Sequence, residues 1–269
     1  LQLNSEEDPI IYLILPTLLS SLNNFEENTK YLILEIILLI IKKFKNPILF
    51  YIENILSIVE SYITEEMRNA RIFKDNNENR KIDICLDIID KLCELYSEEI
   101  SYTYIRIIPL ILNILSDREY ISVNTKIKVV SCLNNMGNSL SKYLYLIIPE
   151  INNCLNSLTN KKLFQNSTLS KDKLRSSNTF YNNLNSSQNL GINDSFNDKK
   201  STDVRSNSSD SNQTGRNLGQ DILNFINNLI KLPGIIKYFE KLIQVLCFYM
   251  GVSGSDSDKK TIMEIFIKM

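Results

Sequence analysis

The sequence predicts an all-α protein, a stack of antiparallel helix pairs forming an α-solenoid, and three observations predict it. Apolar residues make up 43% of the 269-residue chain while Gly numbers 7 and Pro 6, too few to supply a turn at every strand end of a sheet. Several long segments place apolar residues at 3.6-residue spacing, the period of an amphipathic helix. One helical pattern also recurs along the chain, the mark of units that bury their apolar faces against copies of themselves.

The recurring pattern is an aromatic or apolar residue followed by a proline, or a polar substitute for it, and then by further apolar residues. Its instances are IIYLILPTLL with Pro16, YIENILSIV with Ser57, TYIRIIPLIL with Pro109, YLYLIIPEI with Pro149 and YFEKLIQVL with Gln244. Pro16 to Ser57 spans 41 residues and Pro109 to Pro149 spans 40, within reach of the period of about 40 to 47 residues of HEAT and armadillo units. The two longer intervals contain polar inserts, KDNNENR at 74 to 80 and a low-complexity run at 160 to 217. The expectation is about five HEAT-type helix pairs, interrupted by one long disordered insert.

Taken in order, first helices of the pairs are expected near 8 to 23, 47 to 64, 101 to 116, 142 to 158 and 235 to 250. Their partners are expected near 28 to 45, 81 to 97, 122 to 140, 218 to 232 and 257 to 268. Three partner helices carry clear apolar stripes: Cys85, Ile88, Ile89, Leu92 and Leu95; Val129, Leu133, Met136 and Leu140; and Ile222, Phe225, Ile226 and Leu229. Asn46 before Pro47 reads as an N-cap with proline at the first helical position, and Pro233-Gly234 reads as a break between helices. Pro16, Pro109 and Pro149 fall inside their first helices, where each removes one backbone hydrogen bond and kinks the helix, with a plain helix start at each proline as the alternative.

The domain reading follows. Residues 1-159 hold three pairs and the first helix of the fourth, 160-217 form the insert, and 218-269 hold the second helix of the fourth pair and the fifth pair. The insert is rich in Ser, Asn, Asp and Lys, and its scattered Leu and Phe follow no period, so it buries too little apolar surface to offset the entropy of ordering it. A passive spacer is its expected role; phosphorylation of its Ser and Thr would turn its positive charge towards negative. The chain begins at Leu1 without a leader pattern and is expected to be a piece of a longer protein, with apolar surface open at both ends of the stack.

Charge excludes one large class of partner. The net charge is −1, but residues 160 to 217 carry nine Lys or Arg against five Asp, which leaves the rest of the chain at −5. A protein that neutralises phosphates shows a basic stripe on its fold, so nucleic acid is not an expected partner. A membrane span is not expected either: the most apolar run, Tyr31 to Ile41, contains Glu35 and reaches only about 17 Å as a helix, against a hydrocarbon core of about 30 Å.

Candidate catalytic, cofactor-binding and metal-ligating residues are none. Histidine is absent, which removes the usual nucleophile systems and histidine metal ligands. Cys85, Cys93, Cys132, Cys154 and Cys247 all lie in apolar helical patterns without CxxC spacing and read as reduced core thiols of a cytosolic or nuclear protein. Gly251 and Gly254 in GVSGSDSD read as an inter-helix loop with a Ser or Asp cap rather than a phosphate cradle. Glu65 and Glu66, and Glu98 and Glu99, read as solvated or capping groups at helix ends. Tyr102, Tyr104, Tyr143, Tyr145 and Tyr238 read as core or ridge packing rather than a base-stacking platform.

The succession DPIIYLILPTLLSSL, FYIENILSIVESYI, YTYIRIIPLILNILSD, TKIKVVSCLNNMGNSLSKYLYLIIPEINNCL and IIKYFEKLIQVL resembles the HEAT array in the middle of the target of rapamycin (TOR) family of serine/threonine protein kinases. The resemblance covers nearly the whole chain outside 160 to 217 and is carried by the order and spacing of five units, above all by the join NNMGNSLSKYLYLIIPEI. The polar insert and the extension at 74 to 80 depart from the family pattern. The resemblance implies a non-catalytic scaffold segment lying before the kinase domain of its parent. That scaffold would support dimerisation and hold other subunits of a cytoplasmic complex, with the nucleus or membrane association through partners as other settings. The family's ATP-site lysine, catalytic loop and metal-binding aspartate have no positions here. A nuclear transport receptor or an adaptor subunit is the other scaffold class compatible with an acidic HEAT stack. A microtubule-binding module, which would present tryptophan and a basic face, ranks last.

Overall fold

A computed structural model describes residues 10–44, 46–73, 80–117, 119–161, 163, 217–253 and 255–269, and these form helices with no strand among them. The helices are α1 Ile11–Ser21, α2 Glu27–Lys43, α3 Ile52–Phe73, α4 Arg80–Tyr96, α5 Tyr104–Ser116, α6 Val123–Asn135, α7 144–161, α8 Leu218–Leu229, α9 Phe239–Val252 and α10 Asp256–Lys268. They alternate between two layers. In the second layer α2 packs on α4, α4 on α6, α6 on α8 and α8 on α10; in the first, α1 packs on α3 and α3 on α5. A hydrogen bond from Ser116 of α5 to Glu150 of α7 carries the first layer onward. Between layers α3 meets α4, α5 meets α6 and α9 meets α10, so the chain is a solenoid of paired helices.

The reason each helix forms is clearest in α4. Ile82, Cys85, Leu86, Ile89, Leu92, Cys93 and Tyr96 recur at three- and four-residue steps and are all buried, and Ile84 and Ile88 beside them are buried too. A helix touching α2, α3 and α6 needs apolar residues on most of its circumference, and α4 has them. Each fully buried Leu or Ile contributes about 1.5–3 kcal/mol.

Helix starts are fixed locally. Ser122 accepts from the Thr125 amide at 3.1 Å, Asn217 from the Gly219 amide at 3.1 Å, and Ser255 from the Asp258 amide at 3.3 Å, so α6, α8 and α10 each have a side-chain cap. First helices after the first are entered differently, through 3-10 turns at Asn46–Tyr51, Ser101–Thr103, Gly137–Tyr143 and Ile235–Tyr238. The turn at Asn46–Tyr51 corrects the expectation that Asn46 and Pro47 begin a regular helix; the α-helix starts at Ile52 and continues to Phe73, well beyond 64.

The partner helix expected over 122 to 140 is also shorter than its stripe. It ends at Asn135, because Gly137 takes φ 56°, a left-handed conformation that stops a helix. Met136 and Leu140 remain buried all the same, one at the helix end and one on the 3-10 turn. Gly234 at φ 85° makes the break read from Pro233-Gly234. Pro16 and Pro109 lie inside α1 and α5, and Pro149 lies within 144–161, so the alternative of a helix starting at each proline does not hold. The helix at 144–161 overlaps the near edge of the expected insert, and 164–216 of it lie outside the described residues, as do 74–79.

The repeat register is sharper than the interval lengths suggested. Pro16, Ser57, Pro109, Pro149 and Gln244 are each the sixth residue of α1, α3, α5, α7 and α9. The residue just before this position is fully buried as Leu15, Leu56, Ile108 and Ile148 in the first four units. In α9 it is Ile243, 39% exposed at the C-terminal side of the stack.

Candidate partner-binding surface

The first layer shows its outer face between α5 and α7. There Pro109, Leu112, Asn113 and Ser116 of α5 face Leu146 and Glu150 of α7 across an open groove of about 310 Å³. Ile105 at 63% exposure lies one turn before Pro109 on α5, Tyr145 at 58% stands next to Leu146 on α7, and Tyr102 at 63% precedes α5. Large apolar side chains left in water beside a groove mark a surface that can bind protein.

Polar groups frame this apolar patch. Arg106 donates to Glu53 of α3 at 2.7 Å and lies 3.3 Å from Glu60, and the Tyr102 hydroxyl donates to Glu53 at 3.3 Å. Burial, ahead of the opposing pull of Arg106 and the push of Glu53, raises the Glu60 carboxyl above its ordinary value. Further along the same joint Arg71 donates to Asn113 and pairs with Asp117 at 3.6 Å.

The second layer is laced by side-chain pairs at each step. Asp83 accepts from Thr125 at 2.6 Å, Asp87 from Lys128 at 2.7 Å and Asp90 from Asn135 at 3.0 Å, all between α4 and α6. Asn228 of α8 donates to Asn134 of α6, and Gln220 and Asn227 of α8 bond Thr261 and Lys268 of α10. Six charges and amides on α4 and α6 (Asp83, Asp87, Asp90, Lys128, Asn134 and Asn135) are thus already engaged inside the stack, which makes this layer a poorer docking face than the groove.

The structure places the residues singled out by sequence as follows. Cys85, Cys93, Cys132 and Cys154 are buried, as read; burial pushes the Cys93 thiol up to about 12 and also raises those of Cys85 and Cys132. Cys132 donates to the Leu86 carbonyl at 3.3 Å. Cys247 corrects the reading, since it is exposed on α9. Tyr104 is fully buried and donates to the Ser97 carbonyl at 3.1 Å, while Tyr143 and Tyr238 are half-buried against the core. Tyr102 and Tyr145 are not packed in the core but stand on the surface.

Glu65, Glu98 and Glu99 are exposed, whereas Glu66 is half-buried and accepts from Lys81 at 3.0 Å, joining the C-terminal half of α3 to the start of α4. Ser255 supplies the cap expected of the GVSGSDSD loop; Gly251 is exposed and Gly254 lies outside the described residues. Among the described residues no group of three or more His, Cys, Asp or Glu is placed to hold a metal ion, and no helix is long and apolar enough to cross a membrane. Sequence reasoning missed the outward position of Tyr102, Ile105 and Tyr145. The signal was present in their spacing: Ile105 and Tyr145 are each the second residue of a first helix, one turn before the exposed prolines Pro109 and Pro149.

Comparison with family models, with curated proteins and with solved structures finds no match to this chain.

Proposed function

We propose that this chain is a non-catalytic HEAT-type scaffold segment of a large TOR-like protein kinase, mediating protein contacts in assembly of a complex. Supporting it are the resemblance carried by five units in order and the single register in which their sixth residues fall. The observation that carries the binding role is the exposure of Ile105 and Tyr145 on the two helices that form the α5/α7 groove. Protein partners are its occupants in this reading, in a cytoplasmic setting, and any phosphotransfer belongs to the parent polypeptide. An adaptor or nuclear transport receptor is the second reading, supported by the acidic folded part.

The test is Ile105→Asp with Tyr145→Asp introduced into the endogenous protein. Both side chains are exposed, so the melt should be unchanged while co-purifying subunits fall at least about tenfold, the loss typical of interface anchors. Unchanged co-purification would remove the groove from the account.

A further inference from the structure

Because the helix pairs repeat in register, each side chain of one unit has a counterpart in the others, and a difference in their burial reports a difference in neighbours. The fourth residue of each first-layer helix is Ile14, Ile55, Ile107, Ile147 and Leu242 in turn. The last four are at 1% exposure or less, whereas Ile14 on α1 is at 41%. Leu242 is covered although no helix pair follows its own among the described residues, so the cover at this position comes from the unit before.

The second layer shows the same difference. Leu34, Ile37 and Ile41 of α2 align with Leu86, Ile89 and Cys93 of α4, and all six are buried. In that alignment Leu32 and Ile36 stand where Ile84 and Ile88 stand on α4. Asp83, Asp87 and Asp90 turn α4 towards α6, so the flank with Ile84 and Ile88 is the one that packs on α2, and both are buried there. On α2 the matching flank is open: Leu32 at 56%, Ile36 at 43% and Leu39 at 63% form one exposed stripe, at four- and three-residue steps.

We infer that Ile14 with Leu32, Ile36 and Leu39 forms the docking face for a further helix pair, seated on α1 and α2 as these are seated on α3 and α4. The occupant is the preceding unit of the same polypeptide. Second helices run into the next first helix through 44–51, 97–103, 136–143 and 230–238, seven to nine residues each. Ten residues stand ahead of Ile11, about the length of such a connector and far short of a pair, which takes 33 residues from Ile11 to Lys43. Since Leu32, Ile36 and Leu39 are all apolar, the flank that meets them is apolar too, unlike the charge-laced joint between α4 and α6. The inference rests on the packing of this chain and holds for a TOR-like parent and for any other solenoid parent alike.

The test places a photo-reactive benzophenone side chain at Leu39 in the endogenous full-length protein, with the same side chain at exposed Glu65 on α3 as the control. The cross-link from position 39 should join a peptide of the same polypeptide that lies ahead of Leu1, within one molecule. A cross-link to a second copy or to another protein, or none above the level at position 65, would overturn the inference. A second readout is thiol labelling of Leu32→Cys in the same protein, mapped by peptide. It should run at least about tenfold slower than labelling of Glu65→Cys, because a covered site reacts only on local opening. Equal rates would also overturn it.

Discussion

The Tyr249 hydroxyl donates to Asp258 at 3.2 Å and occupies the place where a β-carbon on Gly219 would stand. Three helices meet at this point, since Gly219 begins α8, Tyr249 lies on α9 and Asp258 on α10. Tyr249 and Asp258 are both buried, and Ser253 donates to the same carboxylate oxygen at 2.7 Å. Burial, then the Asp258 carboxylate, pushes the Tyr249 phenol well above its usual range, so it remains a donor at all working pH values.

Gly219→Ala should therefore destabilise the chain by about 1–3 kcal/mol, the cost of overpacking, although alanine in an exposed helix would gain about 1 kcal/mol over glycine. The steric effect wins because the obstructing atom is pinned by its hydrogen bond. Tyr249→Phe alone should cost about 1 kcal/mol through the lost bond. The pair should cost less than the sum, and urea unfolding of the four proteins measures this; strict additivity would mean that the two residues do not touch.

Asp90 predicts a pH dependence. Burial raises its carboxyl above the ordinary value, against the opposing hydrogen bonds of Ser131 and Asn135 and with added push from Asp87 and Glu94. A raised value means that the fold binds the proton more readily than the unfolded chain does. Its contribution is fully present below the unfolded value of about 3.9 and is lost as pH rises through the folded value. Lowering the pH from neutral towards that range should stabilise the wild type relative to Asp90→Asn, which keeps an acceptor for Asn135. Urea midpoints of the two proteins compared across pH measure it, and parallel curves would contradict it.

Much of this fold was legible because helix periodicity and repeat register are one-dimensional signals. The stripe of Cys85, Ile88, Ile89 and Leu92 is buried as its spacing indicates. Helix ends were less legible, because Met136 and Leu140 keep the stripe's spacing across a break that Gly137 imposes through its backbone. The exposed positions of Cys247, Tyr102 and Tyr145 were hidden for a related reason. Their helices are apolar on more than one face, and the sequence does not say which face meets a neighbour.

The thiols supply a chemical check on that division. In the native chain one equivalent of thiol reagent should be taken up rapidly, at Cys247, while Cys85, Cys93, Cys132 and Cys154 react only on unfolding. Peptide mapping after a short labelling pulse distinguishes the sites; early label on Cys85 or Cys132 would mean that the second layer opens locally.

The joint between α3 and α5 should respond to salt. Arg106 is 45% exposed at its side chain and its partner Glu53 48%, so the pair contributes at most about 1 kcal/mol and is screened. Arg106→Ala should lower stability by that amount or less at low salt, and the difference from wild type should close as salt rises towards 1 M. A salt-independent difference would point to lost packing of the arginine stem instead.

The scaffold proposal as a whole meets its most direct test in the coding sequence of the parent polypeptide, read onward from Met269. A TOR-like parent predicts further helix pairs in the same reading frame and then a kinase domain carrying the ATP-site lysine, the catalytic loop and the metal-binding aspartate. A frame that closes without one, or that leads into a transport-receptor or adaptor sequence, would contradict it.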